Sequence, residues 1–181
     1  NIASMTKAIT SVAALQMVER GLIGLDDPLE TILPELDGIE ILLPDGSRRP
    51  ATRPITLRDL LRHTGGFGYM FNSPQIMAEM KLDPSTGWPE PEVVGDEDFD
   101  WGFGIQPRRV FEAGTRWQYG RNLGVAGKMV ERLSGDDLET YFQKNILRPL
   151  GMTRSGYNPP AGILADRVQM HTRGLLTGRP M

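Results

Sequence analysis

A serine and a lysine one helical turn apart, Ser4 and Lys7, are the residues of this sequence best suited to covalent chemistry. On a helix, an S-x-x-K spacing places the lysine ammonium beside the serine hydroxyl. Burial disfavours the charged amine and is expected to lower its pKa, so that Lys7 could accept or relay the serine proton. A helix N-terminus at Ser4 also favours the negative charge that develops on a carbonyl oxygen under attack. The motif alone arises often by chance, and without its context it favours an N-cap serine followed by an exposed lysine.

Other routes to hydrolytic chemistry find no support in the residue pattern. The sequence has no G-x-S-x-G elbow, no cysteine and no H-x-x-x-H pair, which excludes the corresponding serine, cysteine and zinc arrangements. His63 is predicted to cap the end of a helix, and His171 to be a solvated residue of a polar tail. The acidic run at 96–100 lacks EF-hand spacing and is interpreted as a solvated loop. No cofactor and no metal are implied.

The element that must position Ser4 is a helix predicted over residues 4–20, with Ser4 as its N-cap and Gly21 after its last turn. Apolar residues occupy most of its circumference, which predicts a largely buried helix. Ser4, Lys7 and Ser11 form one polar strip on it. A lysine on a buried helix requires an explanation, and a catalytic role supplies one.

Further elements are predicted downstream. Residues 83–104, rich in proline, glycine and acidic residues with interspersed aromatics, are expected to form an ordered surface loop or lid that borders the cleft. The other predicted elements are a helical turn at 26–33, a hairpin over 39–52 that turns at Asp45-Gly46, a capping-box helix from Thr56 to about His63, and helices over 73–82, 122–133 and 136–147.

Composition narrows the possible partners. The chain has 181 residues, 39% of them hydrophobic, and a net charge of −3 with interspersed signs. No apolar run approaches a membrane span, and the charge argues against nucleic acid or an anionic membrane as partner. The absence of cysteine excludes disulfides but does not distinguish a cytoplasmic from a periplasmic or secreted location. Nothing in the composition indicates an oligomeric state.

Five blocks of the sequence resemble, in the same order, those of class C β-lactamases and the related family VIII carboxylesterases. The resemblance extends from residue 1 to about residue 170, and the order of the blocks is more specific than any one of them. The blocks read NIASMTK at 1–7, LDDP and LPE within 25–35, ITLRDLLRHTGG at 55–66, FEAGTRWQYG at 111–120 and PLGM at 149–152.

The resemblance implies three catalytic roles. Ser4 would be the acylated nucleophile, Lys7 would help to take or relay its proton, and Tyr119 would be the partner phenol. Tyr119 would act as base on Ser4 and then donate a proton to the leaving group. Residue type alone would favour a buried tyrosine that anchors a loop, but the position of Tyr119 after G-T-R-W favours the catalytic interpretation.

One departure from the family pattern bears on the substrate. Class C β-lactamases have Tyr-x-Asn here, whereas this chain has Arg121 in the asparagine position and Asn122 one residue later. This arrangement resembles that of some esterases and favours esters over β-lactams. Arg121 and Asn122 are the predicted substrate-binding residues, although Asn122 could instead cap the helix that follows. The third family element, a Lys-Thr-Gly-like or His/Trp-containing strand, is not recognisable; the sequence at 176–178 lacks the cation.

The resemblance implies a mainly α fragment of the α+β fold of β-lactamases and penicillin-binding proteins, the serine DD-peptidase fold. Residues 1–181 would be a single incomplete domain, the nucleophile helix plus the helical subdomain, with the central antiparallel sheet largely outside this sequence. We therefore expect an incomplete active site in this stretch, which alone could be inactive.

The predicted function is that of a serine hydrolase acting through a Ser4 acyl-enzyme, as a carboxylesterase on short-chain esters. The alternatives are a β-lactamase or D-alanyl-D-alanine carboxypeptidase, and a non-catalytic penicillin-binding-like module that binds a peptide or protein. Acyl transfer to an alcohol or amine acceptor would use the same residues. The predicted partner is a small-molecule ester or β-lactam.

Overall fold

Helices carry most of the regular structure in the residues that the computed structural model describes, 2–81, 84–85, 108–158, 161–164 and 166. This agrees with the mainly helical architecture predicted above. No described helix is both long and apolar enough to cross a membrane. The helices are α1 (Thr6–Glu19), α2 (Leu57–Leu61), α3 (Pro74–Glu79), α4 (Asn122–Ser134), α5 (Leu138–Phe142), continued by a π-helical turn (Gln143–Leu147), and α6 (Ala161–Leu164).

The start of α1 differs from the prediction. Ser4 does not cap the helix: it lies in a 3-10 turn, Ala3–Met5, and α1 begins at Thr6. Ala3 has a φ of 44°, in the left-handed region that is unfavourable for a residue with a Cβ. The turn leaves the Ser4 side chain exposed at the end of α1 instead of engaging it in a cap.

Only one face of α1 is buried. Thr10, Ala13, Ala14 and Met17 face the protein interior, where α1 packs on α4. The prediction of a largely buried helix is therefore wrong for the described structure, since apolar residues around a helix do not tell which face is covered. The apolar residues left exposed include Met5 at 66%, Val12 at 46% and Leu15 at 45%.

Helix α2 is set by its N-terminus. The backbone N–H of Asp59 donates to the Thr56 hydroxyl at 3.3 Å, and the Asp59 carboxylate accepts from the Thr56 N–H at 3.2 Å. This is the predicted capping box, and it is confirmed. The chain leaves α2 through His63, whose φ is 57°, and Gly66, whose φ is 95°.

The predicted hairpin is present but short. Strands β1 (Ile41–Leu42) and β2 (Arg48–Arg49) pair antiparallel, and the Asp45 carboxylate accepts the Ser47 N–H in the turn. The return strand ends at Arg49, before Pro50, which has no N–H to donate to a ladder, and the backbone N–H of Thr52 donates to the Glu112 carboxylate at 3.2 Å.

The C-terminal helices follow the prediction closely. Helix α4 ends at Gly135, whose φ is 73°, and Asp137 caps α5 by accepting the Thr140 N–H at 2.8 Å. The predicted loop at 83–104, apart from residues 84–85, lies outside the described residues, as do the acidic run, His171 and the stretch 176–178. The main core joins α1, α2, α4 and α5 through Ala13, Ala14, Met17, Leu57, Leu60, Leu123, Val125, Ala126, Met129, Val130, Tyr141 and Phe142.

Candidate active site

Ser4, Lys7 and Tyr119 come together at the N-terminal end of α1. The Lys7 ammonium donates to the Ser4 hydroxyl, with 3.2 Å between Nζ and Oγ. The Tyr119 phenol lies close enough to Ser4 and Lys7 for both side chains to lower its pKa. The Lys7 Nζ also lies 4.9 Å from the centre of the Tyr119 ring. The S-x-x-K motif and the tyrosine, far apart in sequence, thus form one connected group.

The segment that carries Tyr119 is held by main-chain hydrogen bonds to the turn after α2. The N–H of Gln118 donates to the His63 carbonyl at 3.0 Å, and the N–H of Gly114 donates to the Thr64 carbonyl at 2.8 Å. On the other side, the Asn72 side-chain amide donates to the Tyr119 carbonyl at 2.7 Å. These contacts fix the backbone of Tyr119 from two directions.

Gly120 allows this close approach. A Cβ at Gly120 would lie 2.0 Å from the Phe67 carbonyl oxygen, far inside any real contact distance. The two segments therefore touch backbone to backbone directly after Tyr119, a position that only glycine can occupy without displacement.

The pKa of Lys7 moves in the direction opposite to the prediction. Burial is the largest single influence and lowers this pKa, but the hydrogen bond to Tyr119 and the interactions with Tyr69 together raise it above its usual value of 10.5. The prediction considered only burial, because the local motif does not reveal its tyrosine partners. Lys7 is therefore a cation in this site, not a neutral amine ready to accept a proton.

The pKa of Tyr119 shifts in the complementary direction. Its hydrogen bond with Lys7, and then that with Ser4, lower the pKa of the phenol below 10.0 against an opposing effect of burial. A lysine cation thus stabilises the phenolate form of a tyrosine that contacts the serine hydroxyl. This arrangement provides a base beside a potential nucleophile.

His63 also lies in this site, although its place in the sequence predicted only a helix cap. Its ring centre lies 4.8 Å from that of Tyr119. Burial, and then the nearby Lys7 charge, lower the pKa of His63 below 6.5, so the imidazole is neutral at neutral pH. The predicted capping role drew on its place at the end of α2. The Thr64-Gly65-Gly66 sequence that follows His63 could have indicated its place in the site, because it turns the chain back toward Tyr119.

Aromatic side chains border the same group. The Tyr69 ring centre is 5.7 Å from that of Tyr119 and 6.0 Å from the Lys7 Nζ. Tyr69 stacks on Phe71 at 5.0 Å, and Phe71 is 71% exposed. The Trp117 ring centre lies 6.3 Å from that of His63, and Trp117 is 65% exposed. We call Tyr69, Phe71 and Trp117 the aromatic rim; no spacing in the sequence distinguished these residues.

The two predicted substrate-binding residues occupy different environments. Arg121 is partly buried at the residue that precedes α4. Asn122 is fully buried as the first residue of α4, with its Nδ2 3.3 Å from the His63 Nδ1. Its side chain does not cap α4, so the alternative capping interpretation is wrong. Its Oδ1 has no hydrogen-bond partner among the described residues.

The described part of the chain contains no group of three or more His, Cys, Asp or Glu side chains that could hold a metal ion. The chemistry available from these residues is that of a hydroxyl, an amine, a phenol and an imidazole.

The fold and this group of side chains define a class. The chain matches the β-lactamase family model over residues 1–179 and belongs to that family, which confirms the resemblance and the fold class inferred from the sequence. Among its relatives is monacolin J acid methylbutanoyltransferase of Aspergillus terreus, 38% identical over 98% of this chain and 43% of the relative. Lovastatin esterase of Penicillium rubens is 40% identical over 87% of this chain and 39% of the relative.

A solved structure is consistent with this family assignment. Unliganded simvastatin synthase (LovD) from Aspergillus terreus superposes with a TM-score of 0.78 at 36% identity, covering 100% of this chain and 46% of LovD. The chain spans less than half the length of each of these relatives.

Proposed function

We propose that this chain carries the nucleophile of a serine hydrolase that works through an acyl-enzyme at Ser4, with carboxylic esters as substrates. The observation that carries the proposal is the grouping of Ser4, Lys7 and Tyr119: the Lys7 ammonium donates to the Ser4 hydroxyl at 3.2 Å and lies 4.9 Å from the centre of the Tyr119 ring, whose phenol pKa both residues lower. A non-catalytic binding module would have no use for a base held against an exposed serine.

In the proposed first half-reaction, the Tyr119 phenolate takes the Ser4 proton while Oγ attacks the ester carbonyl carbon. The tetrahedral intermediate collapses as the bond to the alcohol oxygen breaks, and Tyr119 returns the proton to the departing alcohol. Lys7 remains an ammonium throughout and stabilises the phenolate. In the second half-reaction, Tyr119 takes a proton from water as the water oxygen attacks the acyl carbon; the tetrahedral intermediate collapses, the bond to Ser4 Oγ breaks, and Tyr119 returns the proton to Oγ, which releases the acid and regenerates Ser4 and the phenolate.

Two observations support esters over β-lactams. Arg121 stands where class C β-lactamases have asparagine, and Asn122 is buried against His63. The aromatic rim presents exposed apolar surface next to Tyr119 and His63, which suits an apolar acyl or alcohol group. We propose that Arg121 contacts the polar part of the substrate. The names of the relatives, an esterase and a methylbutanoyltransferase, agree with short acyl esters.

Acyl transfer to an alcohol is the second candidate. The methylbutanoyltransferase relative supports it, and the mechanism differs only in which hydroxyl Tyr119 activates in the second half-reaction. Product analysis with an added alcohol acceptor separates the two, because transfer yields a new ester and hydrolysis yields the free acid.

The deciding experiment is Ser4→Ala in the intact protein. We expect hydrolysis of p-nitrophenyl butyrate to fall by about 10³-fold or more, and covalent labelling by a fluorophosphonate to disappear. Ser11→Ala is the matched control, because Ser11 lies on the same strip of α1 but donates to the Lys7 carbonyl at 2.8 Å. Ser4→Ala with full activity would refute the acyl-enzyme mechanism.

A further inference from the structure

His63 contacts the chain on both sides of Tyr119. Its carbonyl oxygen accepts the N–H of Gln118, the residue before Tyr119, at 3.0 Å. Its imidazole Nδ1 accepts the N–H of Gly120, the residue after Tyr119, at 3.4 Å. Between these two bonds, the imidazole and phenol ring centres are 4.8 Å apart at an angle of 43°. One residue therefore holds Tyr119 by its backbone and by its ring.

The backbone of His63 is held in an unfavourable conformation to achieve this. Its φ of 57° lies in the left-handed region, which is unfavourable for a residue with a Cβ. A residue with an ordinary φ at this point would direct its side chain elsewhere. Such strain persists only where the surroundings fix it, and it is concentrated at functional sites.

The hydrogen bonds also determine which imidazole nitrogen carries the proton. A backbone N–H can only donate, so the Nδ1 that accepts from Gly120 is unprotonated. The neutral ring then carries its proton on Nε2. The groups around it are the Lys7 cation, the Tyr119 phenol, the Asn122 amide and the Trp117 ring. The charge on Lys7 disfavours a second proton on the imidazole.

We propose that His63 is a positioning residue that keeps the Tyr119 phenol aligned with Ser4 and Lys7. It does not touch the reacting atoms: it acts through the backbone on either side of Tyr119 and through the face of its ring. The proposal rests on the proposed function, because it gives Tyr119 the role of the base.

Two substitutions separate the imidazole from the strained backbone. His63→Gly removes the side chain and relieves the left-handed strain. His63→Asn tolerates the left-handed conformation and can place an amide oxygen near the position of Nδ1. For p-nitrophenyl butyrate hydrolysis by the intact protein, we expect His63→Gly to lower kcat by about 10- to 100-fold with little change in KM. We expect His63→Asn to recover most of that loss.

The pH dependence of kcat/KM separates a positioning role from a purely structural role, because a purely structural role would leave it unchanged. Misalignment of Tyr119 from Lys7 weakens the bond that lowers the phenol pKa, so the rise of kcat/KM with pH should shift to higher pH in His63→Gly. If His63→Gly is not folded by circular dichroism, His63→Gln replaces it, because its longer side chain cannot place an acceptor at the Nδ1 position.

The outcomes are distinguishable. A folded His63→Gly protein with kcat within about twofold of the parent and an unchanged pH profile would overturn the positioning role. Equal losses in His63→Asn and in the glycine or glutamine variant would also overturn it. If Ser4→Ala is inactive in these cases, the proposed function still stands; an active Ser4→Ala removes both proposals.

Discussion

Two polar clusters each include residues of the same short stretch, 56–66, and they differ in how completely their polar groups are hydrogen-bonded. The first, the Asp59 cluster, lies at the start of α2, and the second, the Tyr119 cluster, lies beyond its end. The Asp59 cluster comprises Arg49, Arg53, Thr56, Asp59, Thr64 and Glu112. The Tyr119 cluster comprises Ser4, Lys7, His63, Tyr119 and Asn122.

The carboxylates of the Asp59 cluster are saturated with donors. One oxygen of Asp59 accepts from Arg53 at 2.8 Å and from the Thr56 hydroxyl at 2.8 Å, and the other accepts from Thr64 at 3.1 Å. Both oxygens of Glu112 are also bonded. Such a network ties several segments of chain together and leaves no carboxylate oxygen of Asp59 or Glu112 without a donor.

The Tyr119 cluster is strained and incompletely bonded. Among the described residues, the non-glycine residues with positive φ are Ala3 and His63. His63 belongs to this cluster, and Ala3 directly precedes its member Ser4. The buried Oδ1 of Asn122 has no hydrogen-bond partner among the described residues, and Ser4 is exposed. The first cluster is therefore suited to stability, whereas the second retains the strain and the reactive groups that the proposed chemistry would use.

Tyr119→Phe tests this contrast with the largest expected effect. Removal of the base should lower kcat for ester hydrolysis by about 10³-fold, while the free energy of unfolding changes by less than about 1 kcal/mol. Ester hydrolysis and urea unfolding of the same preparation measure both. The matched control is Tyr141→Phe, which removes a phenol that donates to Gln16 at 3.0 Å within the core and should leave kcat unchanged. A loss of kcat smaller than about tenfold in Tyr119→Phe would contradict its assignment as the base.

Asp59→Asn tests the other cluster. The change keeps the shape of the side chain but breaks the charge pair with Arg53 and disturbs the capping box, so we expect a loss of about 2–3 kcal/mol in the free energy of unfolding. The kcat of the folded fraction should not change. Asp26→Asn, which breaks the exposed pair with Arg58, should have little effect on stability. If Asp59→Asn instead reduced kcat and left unfolding unchanged, the division between the two clusters would be wrong.

The sequence was sufficient where the determinants are local. The capping box of Thr56 and Asp59 and the helix from Asn122 follow from neighbouring residues, and the structure has both. The family blocks placed Tyr119 with Ser4 and Lys7. The direction of the Lys7 pKa shift could not be predicted, because it depends on tyrosines that reach Lys7 only through tertiary packing. The site role of His63 was missed for the same reason.

The two clusters should also respond to acid in different pH ranges, and these are the smallest effects we predict. The lowered pKa of His63 means that the unfolded chain binds this proton more tightly, so its contribution to stability is complete above pH 6.5 and is lost as the pH falls through the folded pKa. For Glu112, burial raises the pKa, but the bonds from Arg49 and from the backbone of Thr52 and Arg53 outweigh it and lower the pKa overall. Its contribution is therefore complete only above pH 4.5 and is lost at lower pH.

Urea unfolding measured at a series of pH values resolves the two steps. In the parent chain, stability should begin to fall just below pH 6.5 and then fall further below pH 4.5. His63→Asn should abolish the first decline and keep the second, because asparagine does not titrate. If the first decline persisted in His63→Asn, another group would be responsible for it, and the neutral imidazole beside Tyr119 would not be the acid-sensitive part of that cluster.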